Sequence, residues 1–111
     1  MTPMIALIEQ HAAEIETLCR HHGVRRLDVF GSAATGEFDP ERSDLDFLVE
    51  FDPAGEASLF QRYFGLQESL ESLFGRKVDM VSASAMKNPY FITEVNRSRQ
   101  AVYAAPLAEA A

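Results

Sequence analysis

Cysteine is nearly missing from this chain: Cys19 is the only one in 111 residues. An internal disulfide is therefore excluded, and a reducing, cytoplasmic compartment is the expected one. Long apolar runs are missing too. No stretch approaches the roughly 20 residues that span a bilayer, and the N-terminus lacks the basic-then-apolar order of a secretory leader. Positive charge is scarce: ten Lys and Arg stand against seventeen Asp and Glu, a net charge of −7. The cations are also scattered, with Arg25-Arg26, Arg76-Lys77, Lys87, Arg97 and Arg99 far apart in sequence. Phosphate backbones need cations gathered on one face, so direct nucleic-acid binding is disfavoured. An acidic exterior suits docking on a basic protein instead. No internal repeat or linker occurs, and one domain over residues 1–111 is expected, with 105–111 a frayed tail.

What is present is a regular alternation of patterns. Residues 3–22 read as a helix, capped by Thr2 with Pro3 in the first turn and stopped by Gly23. Ile5, Ile8, Ala12, Ile15, Cys19 and His22 form its apolar stripe. Arg26 to Phe30 reads as a short strand ending at Gly31, and residues 35–43 as loop. From Asp44 to Phe51 the alternation is strict. Leu45, Phe47, Val49 and Phe51 share one face; Asp44, Asp46, Leu48 and Glu50 share the other, so a strand with one dry face is predicted. A helix follows over 57–74, with Leu59, Phe60, Tyr63, Leu66, Leu70, Leu73 and Phe74 at helical spacing and Gly75 as its stop. Lys77 to Ser82 is a third strand, a short helix starts near Pro89, and Gln100 to Ala104 forms a last strand. The loop between the first two strands is too short for a parallel crossover, so they pair antiparallel. The expected fold is α/β (α+β), a small mixed β-sheet with helices packed on it.

Three acidic residues carry the chemistry. Asp44 and Asp46 lie two apart on a strand, so their carboxylates converge above one face. Like charges that close are unfavourable unless a cation sits between them, and magnesium takes such oxygen ligands together with phosphates. An isolated Asp-x-Asp is as readily a solvated strand end. This one is preceded by Gly31-Ser32 at the end of the neighbouring strand. Glycine lets backbone approach a ligand, free amides of such a turn attract phosphate, and the Ser32 hydroxyl adds a donor. Asp79 interrupts the apolar run Val78, Met80, Val81. An Asp in a buried strand must be paired or bound to metal, whereas one on an edge strand can simply face solvent; beside the other motifs, Asp79 is the natural third carboxylate and a candidate general base. His21-His22 read as surface residues that complement the helix dipole. Asp28 reads as solvent-facing, and Tyr63, Tyr90 and Tyr103 as packing residues.

The run from Val29 through Gly31-Ser32, Arg42-Ser43-Asp44-Leu45-Asp46 to Phe51 resembles the signature of the DNA polymerase beta-type nucleotidyltransferases. It is most similar to the minimal nucleotidyltransferases (MNT) that act as antitoxins to HEPN-domain toxins, and Lys77 to Val81 resembles their third-carboxylate strand. The resemblance implies a nucleotidyltransferase fold, with Gly31 and Ser32 holding the triphosphate of ATP. Asp44, Asp46 and Asp79 would hold metal, two Mg2+ ions, and form the catalytic triad. Two departures stand out. Eleven residues separate Ser32 from Asp44, one more than is common in the family, and Thr35 stands where many relatives have arginine. Arg42 is the candidate replacement for that phosphate-binding cation. The implied function is a protein adenylyltransferase antitoxin that moves AMP from ATP to a tyrosine of a cognate HEPN toxin, in a hetero-oligomer with it. Neutralisation by stoichiometric binding, with weak or no chemistry, is the alternative.

Overall fold

The computed structural model of the chain describes residues 6–31, 34, 44–53 and 58–105. Helices α1 (Ala6–Gln10) and α2 (Ala12–His21) replace the single helix expected over 3–22. His11 breaks the run: its amide reaches back to the Ile8 carbonyl at 3.2 Å, and its ring sits edge-on against Phe74 with centroids 5.4 Å apart. Ile8, Ile15 and Cys19 of the stripe are buried, while Ala12 is exposed. Ile5, Thr2 and Pro3 lie outside the described residues. Burial pushes the Cys19 thiol up to about 12, so it packs as an inert apolar group.

Gly23 adopts φ +67 and turns the chain directly into β1 (Val24–Phe30), two residues earlier than expected. Strand β2 (Leu45–Phe51) pairs antiparallel with it, placing Leu27 opposite Val49 and Phe30 opposite Asp46. Helix α3 (Leu59–Phe74) carries the chain to β3 (Val78–Ser82), which lies parallel to β2. Ser58 caps α3 by accepting the Gln61 amide, and Gly75 at φ +64 ends it. After a 3-10 turn (Ala83–Ala85), α4 (Pro89–Ser98) starts on the Asn88 side-chain cap and leads into β4 (Gln100–Ala104). The sheet order is β3-β2-β1-β4, a mixed sheet as expected.

The two faces of the sheet differ. Leu27, Val29, Leu45, Phe47, Val49, Val78 and Met80 point into the main core with Ile15, Leu66, Leu70 and Phe74 from the helices. The opposite face is not simply wet, as the alternation in β2 suggested. There Phe30 and Leu48 form a second small core with Val95 of α4. Residues paired across antiparallel strands share a face, so Asp46 stands with Phe30, and Asp28 with Leu48, on this second face. The first turn of α3 corrects another expectation. Leu59 and Phe60 are 58% and 72% exposed rather than core, and Phe64 is 46% exposed. With Phe51 and Pro53 they border a groove of about 520 Å³ at the far end of β2. Arg62 on the same helix is buried instead: it donates to the carbonyls of Gly23 and Asp52 and lies over the Phe51 ring. Among the described residues, no helix is long and apolar enough to cross a membrane.

Candidate active site

Parallel pairing of β2 with β3 sets Asp46 directly beside Asp79. Residues matched in register on neighbouring strands have Cβ atoms about 5 Å apart, close enough for their carboxylates to interact. They do: burial first, then the charges of Asp79 and Asp44 and a side-chain hydrogen bond to Asp79, together push Asp46 up to about 6. One group thus feels both of the others, all three lying toward the same end of β2 and β3. Asp44 precedes the first residue of β2, whose amide bonds to the Lys77 carbonyl at 3.3 Å, so the two strands are tied where the acids sit. Lys77 Nζ stands 3.8 Å from Asp79 Oδ1, an exposed pair. Among the described residues, no three Asp, Glu, His or Cys side chains are gathered as a ready metal-ligand group. Asp46 and Asp79 are engaged with each other.

The chemistry of the donors still fits a hard divalent cation. All three side chains offer carboxylate oxygens, and an acid pushed up to about 6 by burial and then by its like-charged neighbours marks a place short of positive charge.

Gly31 closes the other side. Its φ is +73, and a Cβ there would lie 2.8 Å from Asp46 Oδ2. Its carbonyl accepts the Ala34 amide at 3.1 Å, which makes a tight turn, and Ala34 is buried in the main core. Gly31 is therefore held between Ala34 and the Asp46 carboxylate. One detail differs. The Gly31 amide is not free for a ligand, because it donates to Ser98 Oγ at 2.9 Å. Ser32, Thr35 and Arg42, named as phosphate-binding candidates or departures, lie outside the described residues, as does the loop 35–43.

Gly31→Ala is expected to lower stability by about 1–2 kcal/mol from the left-handed backbone alone. The contact with Asp46 adds to that. In urea denaturation the double variant Gly31→Ala/Asp46→Ala should lose less than the sum of the singles, and strict additivity would show that the carboxylate does not crowd this position.

Several bland readings of side chains need revision. Asp28 is not solvent-facing: it is 1% exposed, with Arg26 Nε on Oδ1 at 3.0 Å and Arg99 Nε and Nη2 on Oδ2 at 2.7 and 2.6 Å. Tyr90 does not pack, being 83% exposed. Tyr63 does, and its hydroxyl donates to the Met80 carbonyl next to Asp79. His21 is exposed, whereas His22 is half-buried against Gly65, and burial followed by the His21 charge pushes it down. Ser98 was missed altogether. A serine ending a helix carries no motif, and its contact with Gly31 spans 67 positions.

Residues 14–102 match the nucleotidyltransferase domain family. The protein adenylyltransferase MntA of Thermococcus cleftensis is 39% identical over 83 residues, which covers 68% of this chain and 80% of that protein. A solved structure of a candidate minimal nucleotidyltransferase superposes with a TM-score of 0.68 at 36% identity, covering 83% of this chain and 89% of that one. The same fold occurs at 16% identity and a TM-score of 0.61 in a complex of a tri-AMPylated Shewanella oneidensis HEPN toxin with its MNT antitoxin, covering 92% of this chain and 76% of that one.

Proposed function

The chain belongs to the nucleotidyltransferase domain family, and on that footing we propose that it is a protein adenylyltransferase antitoxin. It transfers AMP from ATP to a tyrosine hydroxyl of a cognate HEPN-type toxin and so neutralises it. One observation carries this reading: the register that sets Asp46 beside Asp79, under the charge of Asp44 and against the Gly31 turn. The adenylyltransferase named among its relatives and the AMPylated toxin held by a protein of the same fold support it.

In the reaction the tyrosine oxygen attacks the α-phosphorus, the bond from that phosphorus to the bridging oxygen breaks, and pyrophosphate leaves. Asp79, beside Asp46 on the neighbouring strand, would take the tyrosine proton. Gly31 keeps the turn close to Asp46, and Ser32 and Arg42 are the proposed contacts of the triphosphate. Asp44, Asp46 and Asp79 would hold two magnesium ions, which when bound neutralise the triphosphate and stabilise the charge of the departing pyrophosphate. Positioning and electrostatics account for most of the protein's own contribution.

The test is incubation of the chain with Mg-ATP and its partner, read by intact mass. Each transfer adds one AMP to the partner, and Asp44→Asn is expected to reduce the yield by about a hundredfold or more. Full transfer by Asp44→Asn would remove this mechanism. Neutralisation by contact alone is the second reading. It is favoured by the exposed Leu59, Phe60 and Phe64, which border the groove beside Phe51, at the other end of β2 from Asp46. A carboxylate variant that still protects cells from the toxin would support it.

A further inference from the structure

The last turn of α4 meets the second face of the sheet at three points. Val95 is 1% exposed in the small core with Phe30 and Leu48. Arg99, which follows the helix, binds the buried Asp28 through two nitrogens. Between them Ser98 places its hydroxyl oxygen 2.9 Å from the Gly31 amide. Gly31 has backbone angles open to glycine and no side chain to hold it, so its peptide would otherwise be free to rotate. Its carbonyl is fixed by Ala34, and its amide by Ser98. Position 31 is also the one that must stay clear of Asp46 Oδ2.

We propose that Ser98, held in place by the Asp28–Arg99 pair, is a positioning residue for the triphosphate-binding turn: it occupies the Gly31 amide and so sets the orientation of the turn beside Asp46. The proposal rests on the nucleotidyltransferase reading of that site. It adds a residue from outside the Gly-Ser and Asp-x-Asp motifs. In this arrangement the Gly31 amide is not itself a phosphate donor. Its bond to Ser98 keeps the turn preorganised before nucleotide arrives, and preorganisation appears in affinity more than in the chemical step.

The experiment compares wild type with Ser98→Ala, Ser98→Thr and, as a matched hydroxyl on the same helix, Thr93→Ala. The Thr93 side chain is exposed and, among the described residues, bonds within α4, to the Pro89 carbonyl. Three measurements are made: amide exchange at Gly31, the Kd for Mg–AMP-PNP by calorimetry, and ATP kinetics giving KM and kcat. Ser98→Ala is expected to speed Gly31 exchange and to weaken Mg–AMP-PNP about tenfold, the effect of one lost hydrogen bond to a buried amide. KM for ATP rises with it, while kcat changes less than about threefold. Ser98→Thr restores all three, and Thr93→Ala changes none.

Unchanged affinity in Ser98→Ala overturns the proposal. So does tighter binding, which would mean that the hydroxyl competes with phosphate for the amide. An equal fall in kcat with no change in KM overturns it as well. A wild-type chain that binds Mg–AMP-PNP in a Ser98-dependent way but adds no AMP to a partner removes the adenylyl-transfer reading and leaves the role of Ser98 standing. Transfer that proceeds with Gly31 exchange and KM indifferent to Ser98→Ala removes only the role of Ser98.

Discussion

Asp46→Asn should abolish AMP transfer and at the same time raise the thermal stability of the nucleotide-free chain. The loss is expected to reach about a thousandfold, since a misplaced metal and an unshielded triphosphate each cost several kcal/mol and each 1.4 kcal/mol is about tenfold in rate. The gain in stability comes from the same environment. Asp46 sits at about 6, above its ordinary 3.8, because burial and the charges of Asp79 and Asp44 oppose its ionisation. Between those two pH values the folded chain binds the proton more tightly than the unfolded chain, so stability falls as pH rises through the window. Below it Asp46 is neutral in both states and costs nothing; above about 6 the full cost is present. The residue is only partly buried, and solvent screening reduces that cost to about 1 kcal/mol. Thermal melts of wild type and Asp46→Asn should therefore diverge near neutral pH and converge below about pH 4. Magnesium with nucleotide should raise the wild-type midpoint and leave that of Asp46→Asn in place. A variant less stable than wild type near neutral pH would mean that the three acids do not repel one another.

Asp28→Ala should be the most damaging single change to stability outside the apolar core, costing about 3 kcal/mol. The carboxylate is fully enclosed and receives two arginines, so its removal breaks three short contacts and leaves Arg99 Nε and Nη2 without that acceptor. Both arginines keep partial access to water, 49% for Arg26 and 28% for Arg99, which limits the penalty. In a chain of this size the midpoint of thermal unfolding should fall by roughly 10–15 °C. Asp28→Ala/Arg99→Ala should lose clearly less than the sum of its parts, because the first change already strands the second group. Because Arg99 adjoins Ser98, Asp28→Ala should also loosen the Gly31 turn. A loss below about 0.5 kcal/mol, the range of ordinary surface substitutions, would show that the pair is bystander charge.

Much of the fold was legible because its elements have short-range causes. The alternation of Leu45, Phe47 and Val49 defined β2 to within a residue, and Gly75 and Pro89 marked the end of α3 and the start of α4. The antiparallel pairing of β1 with β2 followed from the length of their connection alone. Misreadings fell where a tertiary neighbour outweighed the local pattern. His11 broke an apparently continuous helix because its ring is used against Phe74, and Arg62 was drawn inward by two carbonyls while Leu59 and Phe60 were left outside. The second face of the sheet looked wet in β2 because only Leu48 there meets α4.

By itself the sequence determined which groups could do chemistry. Period-two spacing aims Asp44 and Asp46 to one side of a strand, and a glycine at position 31 leaves the backbone free to turn and to approach a ligand. Such facts depend on neighbours in the chain, so composition and spacing carry them. The tertiary structure alone decided that Asp79 stands in register with Asp46, that Asp28 is buried between two arginines, and that Ser98 occupies the Gly31 amide. Apart from Arg26 with Asp28, two positions apart, those contacts join residues 33 to 71 positions apart, counting 79 − 46 for Asp46 with Asp79 and 99 − 28 for Asp28 with Arg99, and no local pattern encodes a meeting at that range. They arise when the sheet forms and α4 closes over its second face.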